Sequence, residues 1–136
     1  MIFFSNPKQQ NQKYKKEIIK SIIKVFNSNK YILDNEVKKL ESKFSKFINT
    51  KYCLGVANGT EALELSLRTL NIGKGDEVIS VAHTAPATIS AIYSVGSTPI
   101  LIDVEDQYYT LDSTLLEKAI TKKTKCLILV HLYGMV

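Results

Sequence analysis

Val56-Ala57-Asn58-Gly59-Thr60-Glu61-Ala62-Leu63 marks the point where an apolar extended segment gives way to a helix. Upstream, Tyr52-Cys53-Leu54-Gly55-Val56 is a short, nearly continuous apolar run of strand type. Downstream, Ala62, Leu63, Leu65, Leu67 and Leu70 recur at the spacing of a helix packed on a sheet. Asn58, Gly59 and Thr60, all small or polar, stand between them. Backbone N–H groups at a helix start are free to bind an anion, and Gly59, having no Cβ, lets one come close. Thr60 adds a hydroxyl donor at the same place. The turn therefore predicts a phosphate site, set against the plainer reading in which Gly and Thr only cap the helix.

The segments that follow strengthen the first reading. Asn71-Ile72-Gly73-Lys74-Gly75-Asp76-Glu77 is a polar, glycine-punctuated turn that closes the helix. Val78-Ile79-Ser80-Val81-Ala82 reads as a second strand with His83-Thr84 at its end, and a helical stretch runs from about Pro86 to Val95. Gly96-Ser97-Thr98-Pro99 leads into the strand Ile100-Leu101-Ile102-Asp103. A helix from about Asp112 to Ile120 then precedes Cys126-Leu127-Ile128-Leu129-Val130-His131. This βαβ alternation of apolar strands predicts four parallel strands covered on both faces. Right-handed crossovers gather the strands' carboxyl ends on one edge, where ligands of open α/β sheets bind. Asn58-Gly59-Thr60, His83-Thr84, Asp103 and His131 all fall at or near that edge.

The pattern resembles the sugar aminotransferases related to DegT, DnrJ, EryC1 and StrS, which use pyridoxal 5′-phosphate on the type I (aspartate-aminotransferase) fold. Tyr31-Ile32-Leu33 through Val37 and Leu40-Glu41 resembles the family's leading helix, and Asn58-Gly59-Thr60-Glu61-Ala62-Leu63 its (S/N)GT-x-AL phosphate turn. Gly73 through Ile79 fits a G-x-GDEVI turn, and Thr84 through Thr88 a T-x-x-AT stretch. Gly96-Ser97-Thr98-Pro99 with Asp103-Val104 matches GA-x-P…DV, and Thr121 through Thr124 with Val130-His131-Leu132-Tyr133-Gly134 matches T-x-x-TK…VHLYG. The resemblance implies the parallel-sheet part of a type I large domain over residues 51–136, preceded by amphipathic helices over residues 1–50. It also implies that Asn58, Gly59 and Thr60 hold the cofactor phosphate.

Two departures stand out. Where the family often carries a large aromatic that stacks on the cofactor ring, this chain has Ala85. His83 is the nearest flat side chain and is the candidate ring neighbour, although a histidine at a strand end also serves as an ordinary structural residue. Asp34 replaces a common glycine, and Asp tolerates a left-handed turn better than most residues.

The resemblance further implies a Schiff-base lysine and a carboxylate for the pyridinium nitrogen, both downstream of the Val130–Gly134 segment. Lys51 and Lys125 enter strands, while Lys74, Lys118, Lys122 and Lys123 follow or end helices, so all sit at the wrong edge. No catalytic residue is assigned within the chain, and the lysine is expected beyond Val136. The expectation is an N-terminal piece of a longer enzyme, inactive alone, with an open sheet edge. The complete enzyme is expected to move an amino group, with glutamate as donor, to a nucleotide-linked keto-sugar, and to be a homodimer. His83-Thr84-Ala85-Pro86-Ala87-Thr88 resembles members acting at the 3-keto position of a deoxythymidine-diphosphate sugar. A related pyridoxal-phosphate sugar dehydratase, or an inert α/β interaction fragment, remains an alternative.

Composition bounds the rest. The 136 residues suit one domain or part of one. Residues 1–51 hold 12 lysines against four acids, a net of +8, while residues 52–136 hold six basic and nine acidic residues, a net of −3. The lysines nonetheless lie on the polar sides of amphipathic helices. Lys13, Lys16, Lys20 and Lys24 oppose Tyr14, Ile18, Ile22 and Phe26, and Lys38, Lys39, Lys43 and Lys46 oppose Val37, Leu40, Phe44, Phe47 and Ile48, which are expected to face inward. That design argues against nucleic acid as a partner. Cys53 and Cys126 sit within apolar strands without metal-site spacing, so they are expected to be buried free thiols, with no metal. Residues 1–7 lack the pattern of a signal peptide, and no apolar run approaches a membrane span, so a cytoplasmic protein is expected.

Overall fold

The computed structural model describes residues 4–136, so the leader reading of the first three residues lies outside it. The chain forms two compact units, one ending at Gly55 and the other comprising Val56–Val136.

The first unit holds α1 (Pro7–Gln12), α2 (Lys15–Ser28) and α3 (Asn35–Phe47). Asn6 caps α1, its side chain accepting the Gln9 N–H at 3.1 Å, with Pro7 in the first position where its missing donor costs nothing. Asn29 ends α2 in the left-handed conformation, φ 55°. Glu36 takes Lys39 at 2.8 Å and Lys24 at 3.1 Å, so α2 and α3 share one carboxylate. The Lys39 hydrogen bond, then the Lys24 one, holds that carboxyl below its ordinary range.

Two expectations fail in this unit. The helices are amphipathic as read, but their apolar sides are not turned inward among the described residues: Phe26, Leu40 and Phe47 are 70%, 61% and 84% exposed. Helical periodicity says which side is apolar and not what covers it. Nor does Asp34 take the left-handed turn. It is extended at φ −104° and begins α3, while Leu33 carries the positive φ of 49°.

The second unit runs α4 (Gly59–Thr69), β1 (Glu77–Val81), α5 (Pro86–Ser94), β2 (Thr98–Ile102), α6 (Ser113–Ala119) and β3 (Thr124–Ile128), then a 3-10 turn at Leu132–Gly134. The strands form one parallel sheet in the order β2-β1-β3. Val81 pairs with Ile102 on one side, and Ser80 with Ile128 on the other. The central strand is buried from Val78 to Val81, with Glu77 half-buried at its start, in keeping with its apolar residues Val78, Ile79 and Val81. Leu67, Ile72, Val78 and Ile92 form the core, with Val95, Cys126 and Ile128 packed against them.

There are three strands here, not four. Residues 52–56 are unpaired, and Tyr52 and Leu54 lie mostly exposed. Apolar, extended character is local, whereas a strand needs a neighbour for its backbone groups, and this segment has none among the described residues. Coverage of both faces also holds only for β1, since β3 alternates half-buried and exposed positions as an edge strand does. Cys126 is accordingly half-buried, with its thiol pushed upward by desolvation, and Cys53 is half-buried outside any strand.

The turns have definite structural jobs. At the end of α4 the Ile72 N–H bonds the Leu67 carbonyl, and the N–H of Asn71, at φ 57°, bonds that of Arg68. This is a Schellman closure, and its usual apolar contact is here the core pair Leu67 and Ile72. Gly75 then supplies a φ of 96° that brings Asp76 back to accept the Gly73 N–H at 3.0 Å. At the start of β3, the Thr121 hydroxyl donates to Glu77 at 2.6 Å, bracing β3 on β1.

Candidate functional site

α4 leads through residues 70–76 into the start of β1. Eleven helical residues and five strand residues both span about 16 Å, so α4 is long enough to reach back along β1 to the carboxyl edge of the sheet. The carboxyl ends of all three parallel strands lie along that edge. Residues 83–84, Asp103 and the segment after β3 follow these strand ends and lie at that edge, and α4 is long enough to bring the 58–60 turn there.

The turn is built from its backbone outward. Asn58 is extended and caps α4, with its side-chain oxygen accepting the Glu61 N–H at 2.9 Å. The Glu61 carboxylate reaches back to the Ala57 N–H at 2.6 Å. This is a variant of the capping box in which the Glu accepts from the N–H one residue upstream of the usual donor. The Ala62 N–H is taken by the Asn58 carbonyl. The N–H groups of Gly59 and Thr60 have no partner among the described residues. A Cβ placed on Gly59 would meet nothing within 4 Å, so open space lies beside Gly59. Two free N–H groups at the positive end of a helix, a neighbouring hydroxyl and an uncrowded approach fit a phosphate. Asn58 is committed to the cap, which agrees with a role in shaping the turn.

Beyond β1, His83 is exposed and its ring meets Tyr133 edge to face, with centroids 6.3 Å apart and planes at 79°. The Thr84 and Thr88 hydroxyls lie 2.8 Å apart, tying the strand end to the first turn of α5. Asp103 is used locally: its carboxylate accepts its neighbour Val104's N–H at 2.8 Å, and its carbonyl accepts the Asp112 N–H at 3.0 Å. His131 lies past the end of β3, its carbonyl accepting the Gly134 N–H. No hydrogen bond or ring contact joins His83 to the 58–60 turn among the described residues. Sequence reasoning missed the Glu61 brace, which the Asn-x-x-Glu spacing signals, and the Tyr133 contact, which no local pattern signals.

Five of the lysines judged remote keep that place, while for Lys51 the expected strand entry fails, because residues 52–56 form no strand. Lys74 lies in the turn before β1, Lys118 in the last turn of α6, Lys122 and Lys123 just before β3, and Lys125 near its start. All belong to the amino edge. Among the described residues, no group of three or more His, Cys, Asp or Glu side chains is placed to hold a metal ion, and no helix is long and apolar enough to cross a membrane.

Fold and site together define a class: a parallel α/β unit with a capped helix start whose first two N–H groups are unpartnered among the described residues. The DegT/DnrJ/EryC1/StrS aminotransferase family model matches residues 12–136, and the chain belongs to that family. It is 44% identical over 134 residues to the dTDP-3-amino-3,6-dideoxy-alpha-D-galactopyranose transaminase of Aneurinibacillus thermoaerophilus, an alignment covering 98% of this chain and 37% of that protein. The structure matches S. venezuelae DesV in complex with a ketimine intermediate at a TM-score of 0.94 and 38% identity, covering 99% of this chain and 36% of that one. It matches the PLP-form of the putative sugar aminotransferase Spr1654 from Streptococcus pneumoniae at a TM-score of 0.84 and 39% identity, covering 87% and 30%. The expected fold class, the parallel-sheet part of the type I large domain, is thus borne out. The chain spans about a third of the length of these relatives, from 30% to 37%.

Proposed function

We propose that this chain supplies the phosphate-binding part of a pyridoxal 5′-phosphate-dependent nucleotide-sugar aminotransferase. The observation that carries the reading is the pair of N–H groups at Gly59 and Thr60, unpartnered among the described residues, at the start of α4. When bound, the cofactor supplies an electron sink for the carbanion formed during amino transfer. Gly59 and Thr60 hold its phosphate through backbone N–H groups and the Thr60 hydroxyl, and Asn58 keeps the turn in shape. His83 lies against the cofactor ring where Ala85 offers no flat surface. No lysine of this chain is assigned the covalent bond to the cofactor.

The reaction moves an amino group from an amino-acid donor, glutamate, to a keto-sugar carried on a nucleoside diphosphate. The dTDP-3-amino sugar transaminase among the relatives supports a 3-keto deoxysugar linked to deoxythymidine diphosphate. Residues 51–136 begin the cofactor-binding domain, and residues 1–50 form the helical segment before it. The working unit is a homodimer, and uncovered apolar sides such as those at Phe26 and Leu40 are surfaces that an interface buries. A cytoplasmic location belongs to the same reading, in keeping with two free cysteines.

The test is titration of the full chain with pyridoxamine 5′-phosphate, followed by calorimetry, with pyridoxamine as the phosphate-free control. Binding that needs the phosphate and weakens in Thr60→Val supports the assignment. Equal binding of both compounds, or a Thr60→Val variant that binds as tightly as the parent, overturns it.

A further inference from the structure

We infer that Tyr133 is a positioning residue: its ring fixes the His83 imidazole as the planar wall of the cofactor site. The inference rests on the cofactor reading above and adds a residue to it. His83 stands two residues beyond β1 and Tyr133 five residues beyond β3. β1 and β3 are parallel neighbours, so two side chains 50 residues apart in sequence come to one stretch of the carboxyl edge. Their rings meet at 79° with centroids 6.3 Å apart, the edge-to-face arrangement that aromatic quadrupoles favour.

The geometry bears directly on stacking. In an edge-to-face pair, the ring that gives its edge keeps both faces free, and the ring that receives it keeps one. Whichever role His83 plays, a flat face remains open. Residues 85–87 are Ala-Pro-Ala, so no larger ring from that stretch competes for the place. An exposed imidazole on a loop turns freely about its own bonds, and a contact with a second ring restricts it.

Tyr133 is itself held. It sits at φ 59°, ψ 15°, a conformation that a bulky residue adopts only under constraint. Gly134 follows at φ 82°, and the turn is closed by the Gly134 N–H on the His131 carbonyl and the Met135 N–H on the Leu132 carbonyl. The Tyr133 side chain is 90% exposed, so the core gains nothing from this posture. Its aromatic contact is with His83.

The experiment compares the full chain with Tyr133→Ala and Tyr133→Phe, reading the His83 ring-proton NMR shifts and the affinity for pyridoxamine 5′-phosphate. Circular dichroism confirms that each variant is folded, and the high exposure of Tyr133 makes that the expected result. Tyr133→Phe keeps the His83 shifts and binds within about twofold of the parent. Tyr133→Ala moves the shifts toward those of a free histidine and weakens binding roughly fivefold, the size of one lost aromatic contact. Unchanged His83 shifts in Tyr133→Ala, or altered shifts with unchanged affinity, overturn the inference. Thr60→Val separates the two ideas: if it weakens binding and Tyr133→Ala does not, the wall falls and the phosphate site stands. Absence of any binding to the parent chain overturns both.

Discussion

Asn58 and Glu61 brace each other at the start of α4. The Asn58 side-chain oxygen accepts the Glu61 N–H at 2.9 Å, and the Glu61 carboxylate accepts the Ala57 N–H at 2.6 Å. The brace satisfies one donor of the helix start and spares the two before it, so stability and anion binding use different atoms of one turn. Asn58→Ala should lower stability by about 0.5–2 kcal/mol, the usual cost of a lost N-cap. Urea denaturation monitored by circular dichroism measures it. An unchanged midpoint would show that the cap carries no weight in solution.

Gly59→Ala should separate the two roles in the opposite sense. Gly59 is outside the left-handed region, and a Cβ there meets nothing within 4 Å. The helix tolerates or slightly prefers alanine, so the denaturation midpoint should hold or rise. Affinity for pyridoxamine 5′-phosphate should fall, because the methyl group enters the space through which the phosphate approaches. A variant that keeps both properties would place the phosphate elsewhere.

Thr60→Val keeps the shape of the side chain and removes its hydroxyl. One charge-assisted hydrogen bond is worth about 1.5–3 kcal/mol, so binding should weaken roughly 10- to 150-fold. Calorimetric titration reads this directly, and a loss confined to the phosphorylated ligand identifies the group that Thr60 meets.

Packing should matter most around β1. Ile92 is 0% exposed and belongs to the core of the second unit, so Ile92→Ala should cost about 2–5 kcal/mol. Ser80, also fully buried, donates to the Ile128 carbonyl at 3.0 Å and so ties β1 to β3. Ser80→Ala should cost about 0.5–1.5 kcal/mol. Equilibrium denaturation that ranks Ser80→Ala above Ile92→Ala would contradict this account of the core.

Acid should loosen α6 before the sheet. The Thr114 hydroxyl, then the Thr114 N–H, holds the Asp112 carboxyl below its ordinary value of 3.8. A carboxyl lowered by folding stabilises the fold above its unfolded pKa, and that stabilisation is lost as pH falls through the lowered folded value. Amide exchange of α6 should therefore accelerate as pH drops below about 4, relative to β1 in the same sample. Asp112→Asn keeps a cap without the charge and should remove this dependence. Persistence of the acid step in that variant would assign it to another group.

The helices α4, α5 and α6 were legible because each carries its own signals. Asn58 and Asp112 stand at caps, Pro86 opens α5, and apolar residues recur at helical spacing. β1 was legible for the same kind of reason, since Val78, Ile79 and Val81 form an apolar run long enough for a buried central strand. The phosphate turn also follows from local chemistry, because an N-cap, a residue without Cβ and free N–H groups all lie within a few positions of one another.

Other features depended on which segments become neighbours, and periodicity does not encode that. Residues 52–56 look like a strand and are not one, because they find no partner strand among the described residues; the Gly55 N–H goes instead to the Glu41 carboxylate at 2.8 Å. Leu40 and Phe47 look inward-facing and are exposed, because periodicity names an apolar side without supplying the surface to cover it. The order β2-β1-β3 put the ends of β1 and β3 together and so brought Tyr133 to His83. Local sequence determined the conformations and the chemistry offered at each strand end. Tertiary structure decided which of those ends meet, since contact between residues 50 positions apart is set by sheet topology and not by any pattern within either segment.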